Sequence, residues 1–134
     1  MSDFSFIDNV SEVKKNESLT AFFSLKGTEE FLQDHFEGFP VMPGVLLLES
    51  LKQASARLAA ASEGGDVCYR LVRADEVKFG QFVRPGSHLK IFVRQLAKEG
   101  QCFHMEGRID LIDPLGDGSS RKALTANIAL EPAG

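Results

Sequence analysis

The chain has 134 residues, of which 43% are hydrophobic and 25% charged, so it has the size and composition of one folded domain (residues 1–134) and not of a disordered protein. A net charge of −4 without a run of lysine and arginine argues against nucleic-acid binding, and apolar runs such as Val45 to Leu48 are too short to span a membrane. The N-terminus lacks the basic and apolar regions of a signal peptide, and Cys68 and Cys102 have neither the number nor the spacing of a disulfide framework or a metal site. We therefore expect a cytosolic protein with reduced thiols.

The first predicted elements are two strands within residues 10–25. Their sequences, VSEV and LTAFFSL, are separated by the polar residues 14–17, which is typical of a hairpin. Thr28 and the two glutamates after it resemble the start of a short helix. The segment DHFEGFPVMPG follows; it contains two glycines and two prolines and should not form a regular element.

One long helix is predicted over Val45–Ala61, a stretch rich in leucine and alanine that contains no glycine or proline. The two glycines at positions 64 and 65 should end it. One face of this helix carries Leu47, Leu51, Ala54 and Leu58. A second, mostly apolar face carries Leu46, Glu49, Gln53, Ala56 and Ala60. A helix that is apolar on two sides should be wrapped by a sheet.

The remaining sequence has the character of strands bounded by turn residues: VCYRLV, ADEVKF, HLKIFVRQL, QCFHMEGRIDLI and KALTANIAL. In the fourth of these, apolar residues such as Phe103 and Met105 alternate with polar residues such as His104 and Glu106, which indicates one buried and one exposed face. No second long helix is available for parallel crossovers. The predicted fold is therefore α+β, with an antiparallel sheet wrapped around one long helix.

The three histidines differ in their surroundings. His104 falls on the polar side of its strand and His88 follows a turn, so both should be surface residues. His35 lies in the irregular segment, next to Phe36 and directly before the helix. A histidine in that setting has either a structural or a catalytic role.

Glu49 is a charged residue in the second turn of the helix, among apolar neighbours such as Leu46 and Ala56. An unpaired carboxylate would be costly to bury there. One interpretation is a partnership with Lys52 or Gln53 on a partly exposed face. The other is a carboxylic acid positioned for proton transfer.

Pro43, Gly44 and Val45 open the helix. A glycine lets a substrate approach the main chain closely, and free N–H groups at a helix N-terminus can stabilise a developing negative oxygen. The alternative is that Pro-Gly simply starts a helix, as it does in many folds. If the first reading holds, a base, an acid and an oxyanion site lie within fifteen residues.

The segment HFEGFPVMPGVLLLESLKQA resembles the active-site signature of 3-hydroxyacyl-acyl carrier protein dehydratases of the FabZ and FabA type. FSFIDNV and DEVKFGQFVRPGSHL also resemble segments of that family, so the resemblance covers most of the chain. It implies a hot-dog fold. Glutamate at position 49 is similar to the FabZ branch, because the isomerising FabA branch usually has aspartate there.

The resemblance also implies roles for individual residues. His35 would remove the proton next to the thioester carbonyl, and Glu49 of the other subunit would protonate the departing 3-hydroxyl. The N–H groups of Gly44 and Val45 would hold the thioester oxygen. Gln53 would support the carboxylate, and Phe36 is assigned to the substrate site.

The same resemblance implies the partners of the protein. The substrate would be carried on the phosphopantetheine arm of acyl carrier protein, in a tunnel lined by some of the eleven phenylalanines. The protein would form a homodimer that assembles further into trimers of dimers. No metal or diffusible cofactor is needed, and neither nucleic acid nor membrane is expected as a partner.

Two stretches depart from the family pattern. Asp34 and Glu37 stand where the family commonly has glycine and proline, and carboxylates near His35 would favour its protonated form. The stretch 79–82 lacks arginines that relatives often carry. Lys78, Arg84 and Lys90 cluster in sequence around one turn and could contact a small acidic partner. Two other functions therefore stay open: a non-catalytic subunit that binds acyl chains or supports an active partner, and a hot-dog thioesterase.

Overall fold

A computed structural model describes residues 6–25, 44–63, 68–81, 83, 86–112 and 120–132. In chain order these residues form β1 (Asn9–Lys14), β2 (Ser18–Ser24), α1 (Gly44–Glu63), β3 (Tyr69–Phe79), β4 (His88–Glu99), β5 (Cys102–Ile112) and β6 (Ser120–Pro132). The predicted β1–β2 hairpin is confirmed. The predicted helix is also confirmed and is slightly longer at both ends. The helical start expected at Thr28 and the irregular segment after it lie outside the described residues.

The strands form one six-stranded sheet in the order β1-β2-β4-β5-β6-β3. Every neighbouring pair is antiparallel, as the sequence predicted. Strands β1 and β3 lie at the two edges. The short β1 is mostly exposed, whereas β3 has eleven residues and leaves one long side without a strand partner in the described chain.

Strand β3 corrects one prediction, because VCYRLV and ADEVKF are a single strand and not two. Its register against β6 shifts between Leu71 and Arg73 and again between Asp75 and Lys78. Glu76, inside the second shift, has a φ of 51°. No glycine or proline separates the two segments, so an extra residue is accommodated as a β-bulge and the strand continues.

The second bulge changes the direction of Phe79. Beyond it, Lys78 pairs with Thr125, and Phe79 pairs with the buried Leu124. Side chains alternate along a strand, so one extra residue exchanges the two faces. Phe79 is thereby turned toward the inner face of the sheet, where the helix lies.

Helix α1 packs on that inner face. The predicted core residues Leu47, Leu51, Ala54 and Leu58 are all buried, and they meet buried strand residues such as Ile91. The prediction that the sheet wraps around this helix is confirmed. All six strands contact the helix, and its second face is half-buried; the residues of that face are Leu46, Glu49, Gln53, Ala56 and Ala60.

Gly107 sets the distance between helix and sheet. It is a buried residue in the middle of β5, between Val93 of β4 and Ala126 of β6. A Cβ atom built on Gly107 would lie 2.6 Å from Leu51 Cγ, closer than real carbon contacts allow. The absence of a side chain therefore lets Leu51, two residues after Glu49, lie directly on the strand.

We expect Gly107→Ala to lower the free energy of unfolding by about 1–3 kcal/mol, the usual effect of overpacking a core. Urea denaturation measures it. In the Leu51→Ala background the same substitution should cost little, because the added methyl group then fills vacated space. Equal costs in both backgrounds would show that Gly107 does not act through Leu51.

Candidate active site

The structure describes three of the six proposed site residues in full. Gly44, Glu49 and Gln53 lie in the first ten residues of α1. Val45 is part of the same helix, and nothing is stated about its side chain. His35 and Phe36 lie outside the described residues, so their predicted roles stay predictions.

Gly44 begins the helix next to the ring of Phe79. A Cβ atom on Gly44 would lie 2.7 Å from Phe79 Cε1, so only glycine permits this approach without moving the ring. The sequence predicted close approach to a substrate at Gly44, whereas the structure shows close approach to Phe79. That side chain is 58% exposed and was not predicted as part of the site. It forms an apolar wall beside the free N–H groups of the helix N-terminus.

The carboxylate of Glu49 is held from one side by its own helix. The Gln53 Nε2 group donates a hydrogen bond to Glu49 Oε2 at 3.1 Å, and Lys52 Nζ lies 3.9 Å from the same oxygen. Both contacts predicted for Glu49 are therefore present. The side chain is 35% exposed, so it lies on a partly exposed face, as one of the two interpretations of the sequence expected. Its face of the helix is half-buried.

Gln53 is in turn fixed by the N-terminal segment. The backbone N–H of Phe6 donates to Gln53 Oε1 at 2.8 Å, and Ser50 Oγ donates to the Phe6 carbonyl oxygen at 3.0 Å. Both Phe6 and Ser50 are fully buried. Sequence reasoning missed both residues.

The helix thus presents two chemically different groups. Its N-terminal N–H groups carry partial positive charge and favour an anionic oxygen, and Glu49 can exchange a proton. Gly44 and Glu49 are five residues apart, which is about 7.5 Å along the helix axis. A small oxygen-bearing segment could contact both groups at once.

The other two described histidines lie elsewhere. His88, at the start of β4, is exposed, and its Nδ1 lies 2.8 Å from Ser24 Oγ. His104 Nε2 lies 3.3 Å from Glu99 Oε1 on the outer side of the sheet. The outward direction predicted for His104 is confirmed, and neither residue approaches Glu49 in the described contacts.

Two grooves in the described part of the chain, of about 490 and 340 Å³, are both on the outer face of the sheet. They share Glu76 and Asn127, and neither is lined by Glu49 or Gly44. The acyl tunnel expected from the sequence therefore stays a prediction. Within the described residues, no cluster of three or more His, Cys, Asp or Glu side chains is arranged for a metal ion, and no helix is long and apolar enough to cross a membrane.

Comparison with known proteins decides the family. The ApeI-like family, described as ApeI dehydratase, matches residues 11–110, which is most of the chain. The chain belongs to the ApeI-like dehydratases. Membership confirms the resemblance to this dehydratase family.

Relatives of this chain have the name 3-hydroxyacyl-[acyl-carrier-protein] dehydratase FabZ. The protein from Rhizorhabdus wittichii is 36% identical over 125 residues, which is 90% of this chain and 79% of the relative. That from Legionella pneumophila strain Lens is 34% identical over 129 residues, covering 93% and 86%. That from Pediococcus pentosaceus is 44% identical over a shorter match, which is 70% of this chain and 64% of the relative.

Solved structures confirm the hot-dog fold. The dehydratase heterocomplex ApeI:P from Xenorhabdus doucetiae matches with a TM-score of 0.74 at 17% identity, covering 96% of this chain and 83% of that chain. The Escherichia coli PaaI protein of the phenylacetic acid degradation operon matches with a TM-score of 0.68 at 9% identity, covering 94% and 79%. At such identities the likeness concerns the fold alone.

Proposed function

We propose that this chain dehydrates (3R)-hydroxyacyl thioesters carried on acyl carrier protein to trans-2-enoyl thioesters, in fatty-acid or related lipid or polyketide synthesis. The observation that carries the proposal is the position of Glu49: a half-exposed carboxylate on a glycine-initiated helix, held through one oxygen by Gln53. The activity named for the FabZ relatives supports the same reaction.

In the proposed mechanism, His35 removes the proton on the carbon next to the thioester carbonyl. The N–H groups of Gly44 and Val45 stabilise the negative charge that develops on the thioester oxygen. Glu49 gives its proton to the 3-hydroxyl group, which leaves as water. The spacing of about 7.5 Å between Gly44 and Glu49 along the axis suits a carbonyl oxygen and a 3-hydroxyl that are each hydrogen-bonded at about 3 Å.

The proposal includes a homodimer with further assembly into trimers of dimers, formed by a single domain over residues 1–134 in the cytoplasm. Two surfaces support a second copy. The edge strand β3 exposes Val72 and Phe79, and among the described strands only β6 pairs with it. The face of α1 around Glu49 is mostly apolar and only half-buried within the described chain.

A supporting subunit of a heteromeric dehydratase is a second candidate. Asp34 and Glu37, two carboxylates in the loop of His35, favour it because they would keep the histidine protonated. The purified chain would then bind acyl groups without converting them. A thioesterase is the third and weaker candidate, since it rests on the hot-dog fold alone.

One assay separates these functions. The purified chain is incubated with 3-hydroxyacyl-acyl carrier proteins of several acyl lengths while enoyl absorbance and thiol release are both recorded. We expect enoyl formation without thiol release. Thiol release would identify a thioesterase, and a chain that binds the substrate without either signal would be a supporting subunit.

A further inference from the structure

In the described part of the chain, Phe6 attaches the N-terminal segment to helix α1, and both of its main-chain groups are bound by the helix. The Phe6 N–H donates to Gln53 Oε1 at 2.8 Å, and Ser50 Oγ donates to the Phe6 carbonyl oxygen at 3.0 Å. Ser50 and Gln53 are three residues apart and therefore neighbours on one side of the helix. Phe6 also packs edge-to-face on Phe23 of β2, with ring centres 5.9 Å apart. The main chain at Phe6 is thus held by the sheet as well as by the helix.

This attachment fixes the direction of the Gln53 amide. A backbone N–H can only donate, so the Gln53 oxygen must face Phe6 and the Nε2 group must face Glu49. Rotating the amide by half a turn would bring two donors together at Phe6 and two acceptors together at Glu49. Both hydrogen bonds would then be lost, and such losses are costly where the groups are partly buried.

The direction of the amide distinguishes the two oxygens of Glu49. Gln53 Nε2 and Lys52 Nζ both contact Oε2. Among the described residues, no hydrogen bond or ion pair reaches Oε1. An oxygen that already accepts from an amide donor is the poorer site for a proton, so a proton carried by this carboxyl group would lie on Oε1.

We propose that the main chain at Phe6, clamped by Ser50, positions Gln53 so that Glu49 delivers its proton from Oε1. Phe6, Ser50 and Gln53 are then positioning residues, and Glu49 is the catalytic one. This inference rests on the proposed dehydratase function. In that reaction the base takes the proton from C2, its C–H electrons form the C2–C3 double bond, the C3–O bond breaks, and the Oε1 proton completes the water molecule.

The test is a double-mutant cycle on Ser50 and Gln53. Ser50→Ala should lower kcat about tenfold with little change in KM, because a small misplacement of a catalytic group slows chemistry more than binding. Gln53→Leu should lower kcat at least as much. In the Gln53→Leu background, Ser50→Ala should have no further effect, since Ser50 acts through Gln53.

The chain offers a matched control in Ser62. Its Oγ accepts from the Asn16 N–H at 2.8 Å and donates to the Leu58 carbonyl at 2.8 Å, so it also ties an N-terminal turn to α1, at the end far from Glu49. Ser62→Ala should leave kcat unchanged. Equal losses of kcat in Ser50→Ala and Ser62→Ala, or additive losses of kcat in the cycle, would show that Ser50 has only a structural role. Either result would overturn the proposal.

A second measurement tests the orientation of Gln53 and does not depend on enzyme activity. The side-chain amide protons of Gln53, followed by ¹H–¹⁵N NMR, should shift or broaden in Ser50→Ala and stay in place in Ser62→Ala. Unchanged signals in Ser50→Ala would overturn the positioning role even in an active enzyme. If the wild-type chain formed no enoyl product, the dehydratase function would fall, and the amide signals would still decide whether Ser50 orients Gln53.

Discussion

Replacing Glu49 by glutamine is expected to lower the rate of dehydration by about 10²- to 10⁴-fold, the usual contribution of a general acid or base. Glutamine has the same size and can still accept a hydrogen bond from Gln53, but it cannot deliver a proton. The variant should fold normally, because Glu49 is partly exposed and Lys52 lies 3.9 Å away, a pair that adds little stability. Initial rates of enoyl formation and a urea unfolding curve measure the two effects.

Glu63 provides the matched control for Glu49. It ends the same helix and forms an ion pair with Lys98 Nζ at 2.8 Å, so Glu63→Gln removes a helical carboxylate without approaching the site. Its activity should equal that of the wild type. Near-normal turnover of Glu49→Gln, or an equal loss in both variants, would remove Glu49 from the mechanism.

The parts of the fold that depend on local pattern could be predicted from the sequence. Helix α1 followed from an uninterrupted run of helix-forming residues, and Leu47, Leu51 and Leu58 followed from its period. Strand β5 followed from strict alternation, and its inward residues Phe103 and Met105 are buried. In each case the signal lies within one element and needs no partner.

The interpretation of β3 failed because its register is set by another strand. The bulges at residues 71–73 and 75–78 exist only relative to β6, which lies more than forty residues later in the chain. The sequence therefore could not show that Phe79 turns inward to meet Gly44. Gly44 was predicted as a site residue, but the atom that requires a glycine there belongs to a distant strand.

Ser50 is a residue whose contact with another segment the sequence pattern could have indicated. It lies between Leu47 and Leu51 on a helix face that is otherwise apolar, and a buried hydroxyl requires a partner. The serine was therefore a visible signal of a contact with another segment. Its partner is the main chain of Phe6, 44 residues earlier, which no local pattern identifies.

The Glu49 side chain is 35% exposed within the chain. The face of α1 that carries Leu51 and Leu58 is fully buried. The other face, with Glu49 and Ala56, is half-buried. We expect a second copy of the chain to pack on this face and to supply residues that face Glu49.

Mixed dimers test whether each active site is shared between two subunits. If His35 of one subunit faces Glu49 of the other, a two-fold symmetric dimer holds two composite sites. Homodimers of His35→Ala and of Glu49→Ala should both be inactive. A hybrid of the two chains places both substitutions in one site and leaves the other site with its histidine and glutamate intact.

Mixing the two inactive homodimers under conditions that exchange chains should therefore restore activity. With random exchange, half of the dimers are hybrid and each has one working site of two, so activity should reach about a quarter of the wild-type value. Enoyl formation measures the recovery, and differently tagged chains measure the exchange. Each homodimer taken alone through the same procedure is the control and should stay inactive. Residues that act within one subunit could not give this recovery, because every chain in the mixture carries a defect. Complete exchange without enoyl formation would therefore place His35 and Glu49 in the same subunit or remove one of them from the reaction.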